Sequence, residues 1–357
     1  MRVPFFWRIL TLLAALNTMS ASALAATPQI ALLLPQSGRM AKAAETIQLG
    51  FLAAYYQDSP HLTESPIVRF YDSDSQNIVT LVQQVYRDGA TLIIGPLSRE
   101  HLEKLLQAGP PPVPLLALNN ADASSENIYQ FALAPEDEIQ RLIAWIDQQK
   151  QRHPLLLAGS DNYGQRQVRL FQTAWQASHS ELLDTVPLNA SNKVGITAAV
   201  RDAVNQKNSR YDAIFLASPA LVRQVLAALT VYHVHLPLYS LSAAWDPTAN
   251  DTARNSLDDL HFCDLPWMLD DTRPEQATLY KNFTRPTSSY DRLYAFGADA
   301  WTLVQQWQTM NDGKAIFLRS GLVHSDSSHH LRRIPSCAEV HNGIATPTWR
   351  PASQDGD

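Results

Sequence analysis

The chain has 357 residues, 45% of them apolar and 17% charged. That length suits two domains of roughly 150 residues, and the apolar share excludes wholesale disorder. A net charge of −6 argues against nucleic acid or an anionic membrane as partner. Two cysteines exclude a disulfide-dense scaffold and a four-thiolate zinc site.

The chain opens as an address. Met1 to Arg8 carries two arginines, Ile9 to Leu16 is a short apolar run, and Ala23-Leu24-Ala25 closes the segment. This is the order of a secretory signal peptide, with cleavage expected after Ala25. The apolar run is shorter than the ~20 residues that span a bilayer. The expected mature form starts near Ala26 and is soluble in the periplasm. No cysteine stands near the cleavage point, so no lipid is expected there. Export permits a Cys263–Cys337 bridge, with two buried free thiols as the alternative.

Apolar runs then alternate with amphipathic stretches. Strands are expected at Ile30–Leu34, Ile67–Tyr71, Leu92–Ile94, Pro114–Leu118 and Tyr129–Leu133, with helices over Lys42–Tyr56, Asn77–Arg87 and Arg99–Gln107. Short, continuous apolar strands separated by helices signal βαβ units and a parallel sheet covered on both faces. Pro135-Glu136-Asp137-Glu138 opens a further helix, its acids suited to a solvated helix N-terminus. The pattern restarts with strands at Leu155–Ala158, Leu183–Leu188, Ala213–Ala217 and Leu238–Leu241, and Leu257–Leu265 leads out of that series. Tyr290–Trp307 is apolar at helical spacing, and Asn342-Gly343 is a hairpin signal in the tail.

The expected architecture is α/β: two doubly wound parallel-sheet lobes joined by crossover strands near Leu133 and Leu265. Residues 26–133 with 266–318 would form the first lobe, 134–265 with 319–346 the second, and 347–357 a loose tail. In such sheets ligands sit outside the carboxyl ends of strands, and two facing lobes place those ends around one cleft.

Catalytic motifs are missing. There is no G-x-S-x-G and no P-loop, and one glycine in Pro35-Gln36-Ser37-Gly38 cannot make a dinucleotide turn. His233 and His235 would share a strand face, but no third ligand stands at metal spacing. Asp72 and Asp74 read more simply as the approach to a helix capped at Asn77. No metal and no cofactor is expected. What remains are loop residues at strand ends: Ser37, Ser98, Asn119, Asn120, Tyr163, Ser218 and Ser242. Hydroxyls, amides and a phenol suit polar recognition of a small ligand.

Several segments carry a resemblance. Ile30-Ala31-Leu32-Leu33-Leu34-Pro35 with Ser37-Gly38, Ile94-Gly95-Pro96-Leu97 and Tyr163-Gly164 resemble type I periplasmic binding proteins. Tyr129 to Glu138, Asp264 to Leu269 and Arg292 to Trp301 narrow the likeness to the penicillin-binding-protein activators, the LppC-type lipoproteins. The likeness runs from about Ile30 to Thr346. It implies a non-enzymatic protein whose binding-protein module engages a class A, bifunctional peptidoglycan synthase and stimulates its transpeptidase. Full-length members carry a lipidated cysteine after the signal and a large helical-repeat domain; here the module follows the signal directly. The competing reading is a solute receptor of a transporter that closes on an amino-acid-like ligand.

Overall fold

The computed structural model describes residues 27–189, 193–204, 210–270, 274–281 and 288–349. The leader, its expected cleavage after Ala25 and residues 350–357 lie outside them.

In the first lobe, β1 (Gln29–Leu34), β2 (Ile67–Asp72), β3 (Leu92–Ile94), β4 (Leu115–Ala117) and β5 (Ile128–Phe131) are parallel and lie in the order 2-1-3-4-5. They are linked by α1 (Ala41–Asp58), α2 (Ile78–Arg87) and α3 (Arg99–Ala108). Every residue of β1 is buried, which is why it runs apolar without a break from Ile30 to Leu34. Asn77 caps α2 by accepting from the N–H groups of Val79 and Thr80, at 3.0 and 3.3 Å.

The chain then crosses through α4 (Pro135–Gln148) into a second sheet. There β6 (Pro154–Gly159), β7 (Thr185–Leu188), β8 (Ala213–Leu216), β9 (Leu238–Leu241) and β10 (Leu260–Asp264) repeat the same winding as 7-6-8-9-10. Helices α5 (Asn162–His179), α6 (Lys193–Val204), α7 (Val222–Val231) and α8 (Asp251–Asn255) connect them. Each sheet is sandwiched between two apolar clusters, one per face.

A second crossing, at Leu265, returns the chain to the first lobe through α9 (Pro266–Leu269), α10 (Pro274–Leu279), α11 (Ser288–Gln305) and α12 (Trp307–Asn311). Helix α11 lies against α1. A Cβ at Gly50 or Gly297 would collide with the carbonyl of Tyr294 or Ile47 on the facing helix. Only glycine permits that backbone contact.

The tail corrects the expected boundaries. Strands β11 (Ile316–Leu318), β12 (Gly321–Ser325) and β13 (His330–Ile334) extend the first sheet, with β13 parallel to β5. Residues 319–334 therefore belong to the first lobe, because Val323 and Leu331 pack into its core. A third crossing, at Pro335, leads to β14 (Ser336–His341) and β15 (Ile344–Trp349) on the edge of the second sheet. Asn342 and Gly343, with φ of 51° and 68°, make the turn between them. Pro347 to Trp349 are thus strand rather than loose tail. Cys263 and Cys337 stand opposite each other in the antiparallel β10–β14 pair and are joined by a disulfide.

Candidate functional site

The first two crossings leave from β5 and β10, so the carboxyl ends of both parallel sheets face the crossings. Five of the seven sequence-derived candidates sit in loops at these ends, Ser242 opens a single 3-10 turn directly after β9, and Tyr163 lies in the first turn of α5.

Most of their polar atoms turn inward. Ser98 caps α3, accepting from His101 N–H at 3.4 Å. Beside it, Asn119 donates to Leu97 O at 2.8 Å, and its side-chain oxygen accepts from Asn120 N–H at 2.9 Å. In the second lobe Ser218 Oγ accepts from Gly159 N–H at 2.8 Å and lies against Gly164. Ser242 is held by Glu138. Ser37 is exposed on the β1–α1 loop, and Tyr163 is 47% exposed. None of the seven lines the two cavities, of about 350 and 490 Å³, that open at the amino ends of the second-sheet strands.

The dominant feature is a buried polar junction between the lobes. The Glu138 carboxylate, on the first turn of α4, accepts from Ser242 N–H at 3.0 Å and from the Ser242 hydroxyl at 2.9 Å. Arg292 reaches over from α11 and donates to Ser242 O and Trp245 O, at 3.0 and 3.1 Å. It also forks onto Asp264, with Nε to Oδ1 at 3.0 Å and Nη2 to Oδ2 at 2.6 Å. Such a two-pronged guanidinium–carboxylate pair is strong and directional. Arg333 plays the same part at the first crossing. It is fully buried, donates to Ala132 O and Ala134 O at 3.0 and 3.4 Å, and pairs with Asp137 at 3.4 Å.

Burial, reinforced by the Asp264 charge, pushes Glu138 up to about 7. Burial also raises Asp137, against the opposing pull of Arg333. Burial and the nearby Glu138 charge raise the Tyr163 phenol. The expected solvated helix start at 136–138 is therefore corrected: Asp137 and Glu138 are buried because the helix N-terminus points into the junction, where Arg333 and Ser242 meet them. Arg292, directly before the apolar face of the α11 run, and Arg333, directly before Ile334, were the sequence signal for these partners. His233 and His235 are also displaced, lying in the turn after α7 rather than on a strand.

The profile of the LppC lipoprotein family matches residues 9–323. The chain belongs to that family. The solved C-domain of LpoA from Haemophilus influenzae, a regulator of PBP1A, superposes with a TM-score of 0.75 at 25% identity, covering 90% of this chain and all of that one. The penicillin-binding protein activator LpoA of Yersinia pseudotuberculosis is 28% identical over 83% of this chain. That alignment covers 57% of LpoA, so the LppC-family chain spans little more than half of its curated relative. A structure from Chromobacterium violaceum, assigned to a branched-chain amino acid ABC transporter, superposes with a TM-score of 0.72 at 25% identity, over 88% of this chain and all of that one. The fold is thus that of the type I periplasmic binding proteins, and no described helix is long and apolar enough to cross a membrane.

Proposed function

We propose that this LppC-family chain is a non-enzymatic periplasmic regulator that binds a class A, bifunctional penicillin-binding protein and stimulates peptidoglycan transpeptidation. One observation carries the reading: the likeness extends over the whole of the Haemophilus influenzae C-domain, a regulator of PBP1A. The use made of the strand-end residues supports it. A receptor that closes on a solute needs mobile lobes and free polar groups in the cleft. Here Ser98, Asn119, Ser218 and Ser242 bond within the fold, and Arg292 and Arg333 tie the lobe crossings. That arrangement favours a fixed outer surface offered to a partner. Stimulation then requires tighter binding to the active state of the synthase than to the resting one.

The test is direct binding of the chain from Ala26 onward to the periplasmic part of a class A synthase from the same cell. Saturable binding is expected, and no binding at tens of micromolar contradicts the proposal. A parallel melt against a panel of amino acids separates the receptor reading. A true ligand at a hundred times its dissociation constant stabilises by about 2.7 kcal/mol.

A further inference from the structure

The richest unassigned chemistry lies at the end of the second sheet away from the lobe junction. In the antiparallel β10–β14 pair, His261 stands opposite Glu339 and Cys263 opposite Cys337. Residues two apart on a strand share a face, so Cys337, Glu339 and His341 form one row and His261 and Cys263 the facing row. Asp259, just before β10, donates its N–H to Val340 O at 2.9 Å and carries its carboxyl to the same corner. Asp259, Glu339 and His341 each bring one ligand atom within 4.8 Å of the other two.

Glu339 is the centre of this group. Its Oε2 lies 3.3 Å from His341 Nε2, and its Oε1 lies 3.6 Å from His261 Nε2. The His261 ring is fixed: Nδ1 is 3.1 Å from Asp259 O, and the ring packs on Trp145 and Tyr239 with centroids at 5.2 and 4.9 Å. A carbonyl only accepts, so Nδ1 carries the proton, and Nε2 makes no hydrogen bond to Glu339 at its 3.6 Å. The frame is held on both sides. The disulfide joins the strands below, and Gly343 N–H donates to Asp258 Oδ1 at 2.8 Å to dock the hairpin turn above.

We propose that Asp259, Glu339 and His341 bind a first-row divalent metal ion of the zinc type. An imidazole nitrogen with two carboxylate oxygens matches zinc, whereas calcium and magnesium prefer oxygen alone. A His341–Glu339 ion pair by itself leaves a second carboxylate, Asp259, beside the first, and like charges that close repel unless a cation joins them. Three protein ligands leave a coordination position for water. Asp259 and Glu339 also line the cavity of about 490 Å³, which gives an ion a route from solvent. His233 and His235 line the same cavity. The metal is independent of the partner reading, and its test has its own readout.

The experiment is calorimetric titration of the EDTA-stripped chain with zinc chloride, with thermal melting alongside. Saturable binding and a higher Tm are expected. His341→Ala and Glu339→Gln each remove one equivalent of bound zinc. His341 is half exposed at the hairpin end, so its variant should fold, which the melt without metal confirms. The double variant His233→Ala with His235→Ala keeps that equivalent. No saturable binding at about 0.1 mM zinc, or an unchanged equivalent in both His341→Ala and Glu339→Gln, overturns the proposal. So does loss of the equivalent in the His233/His235 double variant alone, which would place zinc on the cavity rim.

Discussion

The two ends of the second sheet use polar side chains in opposite ways. At the carboxyl end, Glu138, Ser242, Asp264 and Arg292 are buried or nearly so and satisfy one another across the lobe junction. At the amino end, Glu339, His341 and Asp259 converge at a surface with solvent still at hand. Both are clusters of ionisable groups at strand ends. The first holds two lobes in place and the second has room for something else. A polar residue at the mouth of a sheet marks a ligand site only once its internal partners have been counted.

Four variants, one of them double, sharpen or break that contrast. Arg292→Met should have the largest effect, because it leaves the fully buried Asp264 without its cation. Removing one partner of a buried pair costs about 3–5 kcal/mol, which chemical denaturation would show; a loss under about 1 kcal/mol would mean that the junction is not the tie described.

Next comes the pair Cys263→Ala with Cys337→Ala. The bridge closes 74 residues of chain and in the chain-entropy model contributes about 4 kcal/mol, read as a lower urea midpoint.

The third is a pH effect. Glu138 titrates at about 7 in the folded chain against an ordinary 4.5. Between those values the folded state holds a proton that the unfolded state has released, so stability falls as pH rises through that window and levels off above it. The full difference is about 3 kcal/mol for this group. Asp137 and Asp299, both raised by burial, act in the same direction. Glu138→Gln leaves one side-chain oxygen to accept from Ser242 N–H, with the Ser242 hydroxyl turned to accept from the new amide, and should flatten the decline between pH 5 and 8; an unchanged slope would assign the pH dependence to other groups.

The smallest effect is expected at the open end. Without metal, His341→Ala should change stability by no more than about 0.5 kcal/mol, as measured in EDTA. A large loss there would make the amino end structural too and erase the contrast.

Much of the fold was legible because continuous apolar runs such as Ile30–Leu34 and Leu155–Ala158 allow little but buried parallel strands. The tail was harder. Strands β12 and β13 are short and only partly buried in pattern, and sequence order alone does not say which sheet they join. Only the pairing of His330 with Gln130 and Leu331 with Phe131 settles it. The cysteine pair stayed open for the same reason, since their register is a tertiary fact. At the candidate site, residue type and strand-end position found Ser218 and Ser242 but not their roles. Whether a hydroxyl faces a ligand or a neighbouring carboxylate depends on chain more than a hundred residues away, as with Ser242 and Glu138. The acids at 136–138 misled because a helix N-terminus favours carboxylates whether it faces water or a buried arginine.

The central claim is that this LppC-family chain acts on a synthase through its surface. The most direct measurement is the rate of peptide cross-linking by a class A synthase on lipid II, with and without the chain from Ala26 onward. The account predicts a saturable rise in cross-linking at concentrations where the two proteins bind. Binding without a change in rate, or an unchanged rate at saturating chain, would contradict it.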